Sequence, residues 1–327
     1  MALTIVEARA ITGGVDTHAD VHVAAALDPI GGLLGVREFP VTPAGYTGLL
    51  GWLAGFETVC LVGIEGTGSY GRLLLAEWTK LRSVRSTNWS LLLLCVLTLG
   101  LTALYTALTV SQWDQAGAFH HAQTAADPTG LIVGGGLALS QLTVCVLGVL
   151  VMASEYSTGA IRASLLAVPT RTPMLLAKSV VFALLIFVVG EAVAFSSFFL
   201  GASILHAKAP VAIGDPGVAR AVAGAGLYLS VLGLFALAVG ALLRHTAAAV
   251  TAVIGLVLVL SPLAQLLPGS LGKHVDAYLP SEAGHLITQA HRAPGDLLSP
   301  WQGFTVFCLW TAALLAAAAW SLNRRDA

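Results

Sequence analysis

Two acidic residues stand where a metal-dependent reaction on a phosphodiester would need them. Asp16 stands at the end of a β-rich run in GVDTH, and Glu65 stands at the end of a second one in GIEGTGSYG. If the two runs are neighbouring strands, both carboxylates could face one divalent metal ion, which would activate water and stabilise a phosphoryl leaving group. The alternative is that they are ordinary acids at strand ends in solvated loops.

The elements that must position these acids are short strands and one helix. Thr42 caps a predicted helix that has Pro43 at its first position. The order β-β-β-α-β is that of the opening half of a ribonuclease H-like fold, in which the first and fourth strand ends are neighbours. We therefore expect an incomplete α/β half-domain over residues 1–71. Its predicted strands are Ala10–His18, Val21–Asp28, Leu33–Val41 and Thr58–Glu65.

The residues GVDTH and EGTGSYG resemble the N-terminal half of IS110-type transposases, the DEDD class of RuvC-like recombinases, over about residues 12–71. The resemblance implies that Asp16 and Glu65 match the first two acids of that family. It also implies Mg²⁺ between them if the fold were complete. The family needs two further acids and a C-terminal domain carrying a serine, and neither is found in the sequence. We therefore expect a vestigial fragment without active catalytic residues, without a resident metal and without DNA as a partner.

The rest of the chain has the composition of a membrane protein. Apolar residues make up 57% of the sequence and charged residues 10%, against roughly 25% charged in soluble proteins. Each of six apolar runs is long enough to cross a hydrocarbon core of roughly 30 Å. We therefore expect an all-α six-helix transmembrane domain over residues 89–327. The predicted spans are Trp89–Val110, Leu131–Ala153, Ser179–Leu205, Ala221–Leu243, Ala247–Leu267 and Phe304–Leu322.

Basic residues predict the orientation of these spans. With the N-terminus in the cytoplasm, nine of the basic residues from Lys80 onward fall inside and four outside, in agreement with the positive-inside rule. The expectation is a multi-pass plasma-membrane protein with both termini cytoplasmic. Residues 72–88 form a predicted basic amphipathic helix, with Lys80, Arg82 and Arg85 at the lipid surface. The other residues of the inner set are Arg162, Arg171, Lys178, Arg244, Arg324 and Arg325.

A polar connector, residues 154–178, joins the second and third spans. Its middle, GAIRASLLAVP, is typical of a short amphipathic helix stopped by Pro169. A surface helix held by two spans is suited to docking a soluble partner.

Several residues inside the spans have a predicted role. Glu191 lies near the midplane, where it is either a translocation or coupling residue or an interhelical anchor bonded to Gln141 or Ser140. Glycines such as Gly226 are predicted to allow close helix packing. Pro262 and Pro268 should bend or end the fifth span.

The segments EWTKLRSVRST, EYSTGAIRASLLAVPTRTPMLLAK and LPSEAGHLIT resemble ABC-2 type transporter permeases, over about residues 72–327. The resemblance implies that six spans make one permease half, which pairs with a second permease copy in a homodimer or heterodimer. It implies that the connector docks on a separate ABC ATPase subunit. The implied docking residues are Glu155, Gly159, Ile161, Arg162 and Leu165.

The chain carries no G-x-x-x-x-G-K-[ST] phosphate-binding motif, so ATP and its magnesium are expected on the partner. We expect a non-enzymatic permease subunit of an exporter with a vestigial N-terminal fragment and no cofactor of its own. The alternatives are a membrane-tethered IS110-type enzyme that transposes DNA, and a non-functional fusion relic.

Overall fold

The structure, a computed structural model, describes residues 10–17, 20–56, 58–66, 70–115, 117–159, 171–268, 270–292 and 295–324. The chain divides into two compact units, Met1–Leu73 and Leu74–Ala327. Each unit has its own hydrophobic core.

The first unit is a small mixed sheet with one helix. Its strand order is β3-β2-β1-β4, with β1 antiparallel to β2 and parallel to β4. The predicted order of elements is confirmed. The elements are β1 Ala10–Thr17, β2 Val21–Leu27, β3 Leu33–Pro40, α1 Pro43–Ala54 and β4 Thr58–Gly66.

Side-chain alternation gives this sheet one buried face. Ala24 and Ala26 of β2 are fully buried and pack with Ile11 and Val15 of β1, because every second residue of a strand points to the same face. Leu53 of α1 belongs to the same cluster. As predicted, the helix begins at Pro43, and the Thr42 hydroxyl oxygen accepts a hydrogen bond from the Gly45 N–H at 3.1 Å.

The second unit is helical. Within the described residues, six helices are long and apolar enough to cross a membrane: Arg85–Ser111, Pro128–Ser157, Thr172–Leu205, Val218–Leu243, Thr246–Gln265 and Pro300–Arg324. Six such helices are what the sequence predicts, and they indicate a membrane protein. The α-helices that the structure describes after α1 are α2 Tyr70–Ser83, α3 Arg85–Ser111, α4 Ala118–Ala126, α5 Pro128–Ser157, α6 Arg171–Leu205, α7 Val218–Leu243, α8 Thr246–Ile254, α9 Leu260–Gln265, α10 Ser270–Ala277, α11 Pro280–His285 and α12 Pro300–Arg324.

The fifth span is not a regular α-helix. A π-helical turn, Gly255–Val259, separates α8 from α9, and the Leu260 N–H bonds to the carbonyl of Gly255. Pro262 lies just downstream; it has no N–H to donate to the carbonyl four residues earlier, and its ring crowds that carbonyl. The bend predicted at Pro262 therefore takes the form of a wider turn, and the span ends at Gln265, before Pro268.

Helix α7 packs closely against its neighbours, and glycines allow this. At Gly148 of α5, an added Cβ would come within 2.5 Å of the Gly233 carbonyl oxygen of α7. At Gly226 of α7, it would come within 2.5 Å of the Glu191 Cδ of α6. Small residues at these crossings let the helix backbones approach, as predicted for Gly226.

Candidate functional site

The two N-terminal acids lie side by side on neighbouring strands. In the parallel pair of β1 and β4, Asp16 and Glu65 are register partners. The prediction that the two strand ends are neighbours is confirmed. A shared register on parallel strands brings the two backbone positions to the same edge of the sheet.

The two acids at this edge supply the kind of ligand that Mg²⁺ prefers. Mg²⁺ demands six oxygen ligands in near-octahedral geometry and is usually held by carboxylates together with waters and substrate phosphates. Among the described residues, no group of three or more His, Cys, Asp or Glu side chains could hold a metal ion. A magnesium ion bound here would need further oxygen ligands from water or substrate beside the two acids, and we assign no reaction to the pair.

The second unit contains a partly buried cluster of four charged side chains, Glu77, Lys80, Glu155 and Lys178, called here the ion cluster. Lys178 is at its centre, and its side chain is only 2% exposed. The Lys178 Nζ donates to Glu77 Oε2 and to Glu155 Oε1, both at 2.7 Å. The Lys80 Nζ lies 2.7 Å from Glu77 Oε1 and 3.3 Å from Glu155 Oε1. Two ammonium groups thus balance two carboxylates.

Three helices contribute to this cluster. Glu77 and Lys80 are one helical turn apart on α2, so both reach the same neighbour. Glu155 is in the last turn of α5, and Lys178 is in the third turn of α6. The ion cluster therefore ties α2 to the two helices that flank the polar connector.

Charge pairing offsets the cost of burial in this cluster. Burial alone would raise the pKa of the Glu77 carboxyl, but Lys178 and Lys80 outweigh it and hold that pKa below its ordinary value. Burial would likewise lower the pKa of the Lys80 ammonium, but Glu77 and Glu155 together raise it. Both groups stay ionised near neutral pH.

A cavity of about 450 Å³ adjoins the ion cluster. All four charged residues line it, together with apolar residues of α5 such as Leu147 and Val151. The Glu155 Oε2 is buried and has no hydrogen-bond partner in the part of the chain that the structure describes.

The structure places the predicted docking residues in different surroundings. Glu155 turns into the ion cluster, where its side chain is 12% exposed. Gly159 follows α5 with a φ of +72°, a left-handed conformation that favours glycine. Ile161, Arg162 and Leu165 lie outside the described residues, as do the predicted amphipathic helix and Pro169.

The predicted interfacial basic residues also lie in different surroundings. Lys80 pairs with Glu77 and Glu155 and is half-buried, whereas Arg82 and Arg85 are exposed. The roles of Glu77 and Lys178 were not predicted from the sequence. The three-residue spacing of Glu77 and Lys80 was an available signal, but their partners 75 or more positions away along the chain were not readable from spacing.

The helix ends near the ion cluster gather at one end of the second unit. The Arg244 guanidinium lies 5.1 Å from the centre of the Tyr156 ring, and Asn323 Nδ2 donates to Thr172 Oγ1 at 3.1 Å. The first contact joins the residue after α7 to the last turn of α5, and the second joins the last turn of α12 to the start of α6.

Glu191 does not make the bond expected for it. Ser140 Oγ donates to the Gly136 carbonyl at 2.6 Å, and Gln141 Oε1 accepts from the Tyr228 hydroxyl at 2.8 Å. The Glu191 carboxyl instead lies against Gly226. Its Oε2 is buried without a hydrogen-bond partner among the described residues.

Comparison with known proteins identifies one segment. A family model for the IS110-type DEDD transposase, described as a transposase, matches residues 13–84, about a fifth of the chain. This match confirms the transposase resemblance of the N-terminal segment and extends it to the end of α2. A search of curated proteins found no match for this chain.

Proposed function

We propose that this chain is the permease subunit of an ABC-2 type exporter, energised by a separate ATPase that docks on the connector of residues 154–178. The observation that carries the proposal is the ion cluster. It fixes α2 to α5 and α6 on either side of the connector, so a force applied to the connector reaches two membrane-spanning helices and a surface helix together. Six apolar helices support the same proposal.

The proposed mechanism is alternating access. Nucleotide-driven closure of two ATPase subunits rocks the spans of two permease copies, since one six-helix half cannot enclose a path alone. ATP is hydrolysed on the partner, and this chain supplies the membrane path. Both termini are cytoplasmic in a multi-pass plasma-membrane arrangement, which places the ion cluster at the cytoplasmic face.

Co-purification tests this proposal. Tagged full-length protein is solubilised from its native membranes in mild detergent, and bound proteins are identified by mass spectrometry. We expect an ABC ATPase, and we expect Arg162→Glu to reduce its recovery about tenfold, equivalent to about 1.4 kcal/mol. Arg292→Glu, in the predicted outer loop, is the matched control and should not change recovery. Absence of an ATPase, or equal recovery with both variants, would refute the proposal.

A second candidate function is a DNA transaction by the N-terminal unit, favoured by the family match and by the aligned Asp16 and Glu65. We propose instead that this unit is a vestigial transposase fragment. The test is Mg²⁺-dependent nicking of supercoiled DNA by the purified full chain. We expect none, and nicking that disappears in Asp16→Ala would establish the enzyme. Detection of the peptide spanning Tyr70–Glu77 in membranes would exclude an unexpressed relic.

A further inference from the structure

A second cavity, of about 310 Å³, lies within the helical unit. Its walls come from α5, α7, the π-turn with α9, and α11. A volume near 300 Å³ is at the lower end of the range for small-molecule sites, and π-turns are frequent at functional sites. Its polar lining consists of Gln141, Tyr228, Ser261, Ser281, Glu282 and His285.

The charge around this cavity is negative. Glu282 lines it, and Asp276 stands behind Ser261, whose hydroxyl donates to Asp276 Oδ1 at 2.7 Å. Burial raises the pKa of the Glu282 carboxyl above its ordinary value; the nearby Ser261 hydroxyl opposes this shift, and Asp276 adds to it. Burial also lowers the pKa of His285, which favours its neutral form. No lysine or arginine is among the described residues that line the cavity.

One polar group in the wall has no partner. Ser281 is 5% exposed, and its Oγ makes no hydrogen bond in the described part of the chain. An unsatisfied buried hydroxyl costs free energy that a bound donor or acceptor would recover. Next to it are aromatic rings: those of Tyr228 and His285 have centroids 6.0 Å apart and stand at 86° to each other.

We propose that this cavity binds a small primary alkylammonium ion. Its N–H groups would donate to the Glu282 carboxylate and to Ser281 Oγ, and its positive charge would lie near the Tyr228 ring. The alkyl chain would pack on Val257 and Leu258, which also line the cavity. A neutral molecule of the same shape would leave the carboxylate without a counter-charge.

Binding of the ammonium ion does not require transport. Only the further step, that such an amine is the class of exported substrate, rests on the proposed function. Binding is measured by calorimetry on the purified full chain in detergent, with protein-free micelles subtracted. The probes are n-butylammonium chloride and 1-pentanol. We expect saturable binding of the ammonium ion, and binding of the alcohol that is at least about tenfold weaker.

Two variants test the assignment. Glu282→Gln keeps the shape of the side chain and should weaken ammonium binding by about tenfold or more, because it removes the charge. Ser281→Ala should weaken it by about threefold to tenfold. The control is Asp114→Asn, an exposed acid elsewhere in the helical unit, which should bind as the unchanged protein does.

Absence of saturable ammonium binding, equal binding of the alcohol, or unchanged affinity in both variants would overturn the proposal, given monodisperse protein in gel filtration. These outcomes are independent of ATPase recovery. Absence of an ATPase from the purified unchanged protein, with intact ammonium binding, would refute the permease function and leave the cavity assignment in place.

Discussion

Replacing Lys178 by methionine tests whether the ion cluster holds the helical unit together. Methionine keeps most of the length of the side chain and removes its charge. The Lys178 ammonium makes two contacts of 2.7 Å with carboxylates. The substitution therefore leaves Glu77 and Glu155, which are 5% and 12% exposed, without their central counter-ion.

The expected cost follows from burial. Removing one partner of a buried ion pair costs about 3–5 kcal/mol, because the other charge remains in a poorly solvated place. Lys80 still neutralises part of the charge, since its Nζ lies 2.7 Å from Glu77, so we expect a value near the lower limit, about 3 kcal/mol. Lys80 is itself 41% exposed, and Lys80→Met should cost about 1 kcal/mol or less, as for a solvated pair.

The assay is unfolding of the purified protein in mixed micelles with increasing SDS, followed by helical circular dichroism. The two lysine variants form a matched pair, because the chemical change is the same and the burial differs. Adding Glu155→Gln to Lys178→Met removes one of the uncompensated charges and should recover part of the lost stability.

Equal losses for Lys178→Met and Lys80→Met would refute this reasoning. They would mean that water reaches both lysines alike. A double variant no more stable than Lys178→Met alone would show that uncompensated charge is not the source of the loss.

Three further predictions concern packing, pH and the N-terminal unit. Gly148→Ala should destabilise the folded protein by about 1–3 kcal/mol, because the added methyl group would lie 2.5 Å from a backbone oxygen of α7. The control is Gly134→Ala, whose methyl group would meet nothing within 4 Å and should be neutral or stabilising. The stabilities of the two variants are compared by SDS unfolding. The folded-state pKa of Glu77 lies below its ordinary value of 4.5. The ionised Glu77 therefore stabilises the folded protein above pH 4.5, and this contribution is lost as the pH falls through the folded-state pKa. The difference in melting temperature between the unchanged protein and Glu77→Gln should shrink over that pH range. Deleting residues 1–70 should leave the protein in the membrane fraction with unchanged melting, while deleting residues 1–83 should lower the melting temperature; equal melting of both would contradict this.

Local signals in the sequence were sufficient for the secondary structure. Thr42 and Pro43 mark the start of α1, and long apolar runs mark the six helices, because caps and hydrophobic length act within one element. The neighbouring positions of Asp16 and Glu65 followed from the order of strands. These features depend on residues close in the sequence or on a known topology.

The ion cluster depends on residues far apart in the sequence and could not be found in this way. Lys178 meets Glu77 across 101 positions, and only the packing of α2, α5 and α6 brings them together. The same limit applies to Glu191, whose expected partners on α5 are bonded elsewhere, and to Glu155, which was predicted to lie on a docking surface in a charged connector. Charged residues in a connector are usually exposed to solvent, but a pair of opposite charges can be buried together.

Residues 74–84 show how sequence likeness and structural role can differ. The transposase family match extends to residue 84, yet the division between the compact units falls between Leu73 and Leu74. Glu77 and Lys80 lie beyond that division and make ion pairs with Glu155 and Lys178. Buried charges are retained only when their partners are in place. This part of α2 therefore belongs to the helical unit, whatever its origin.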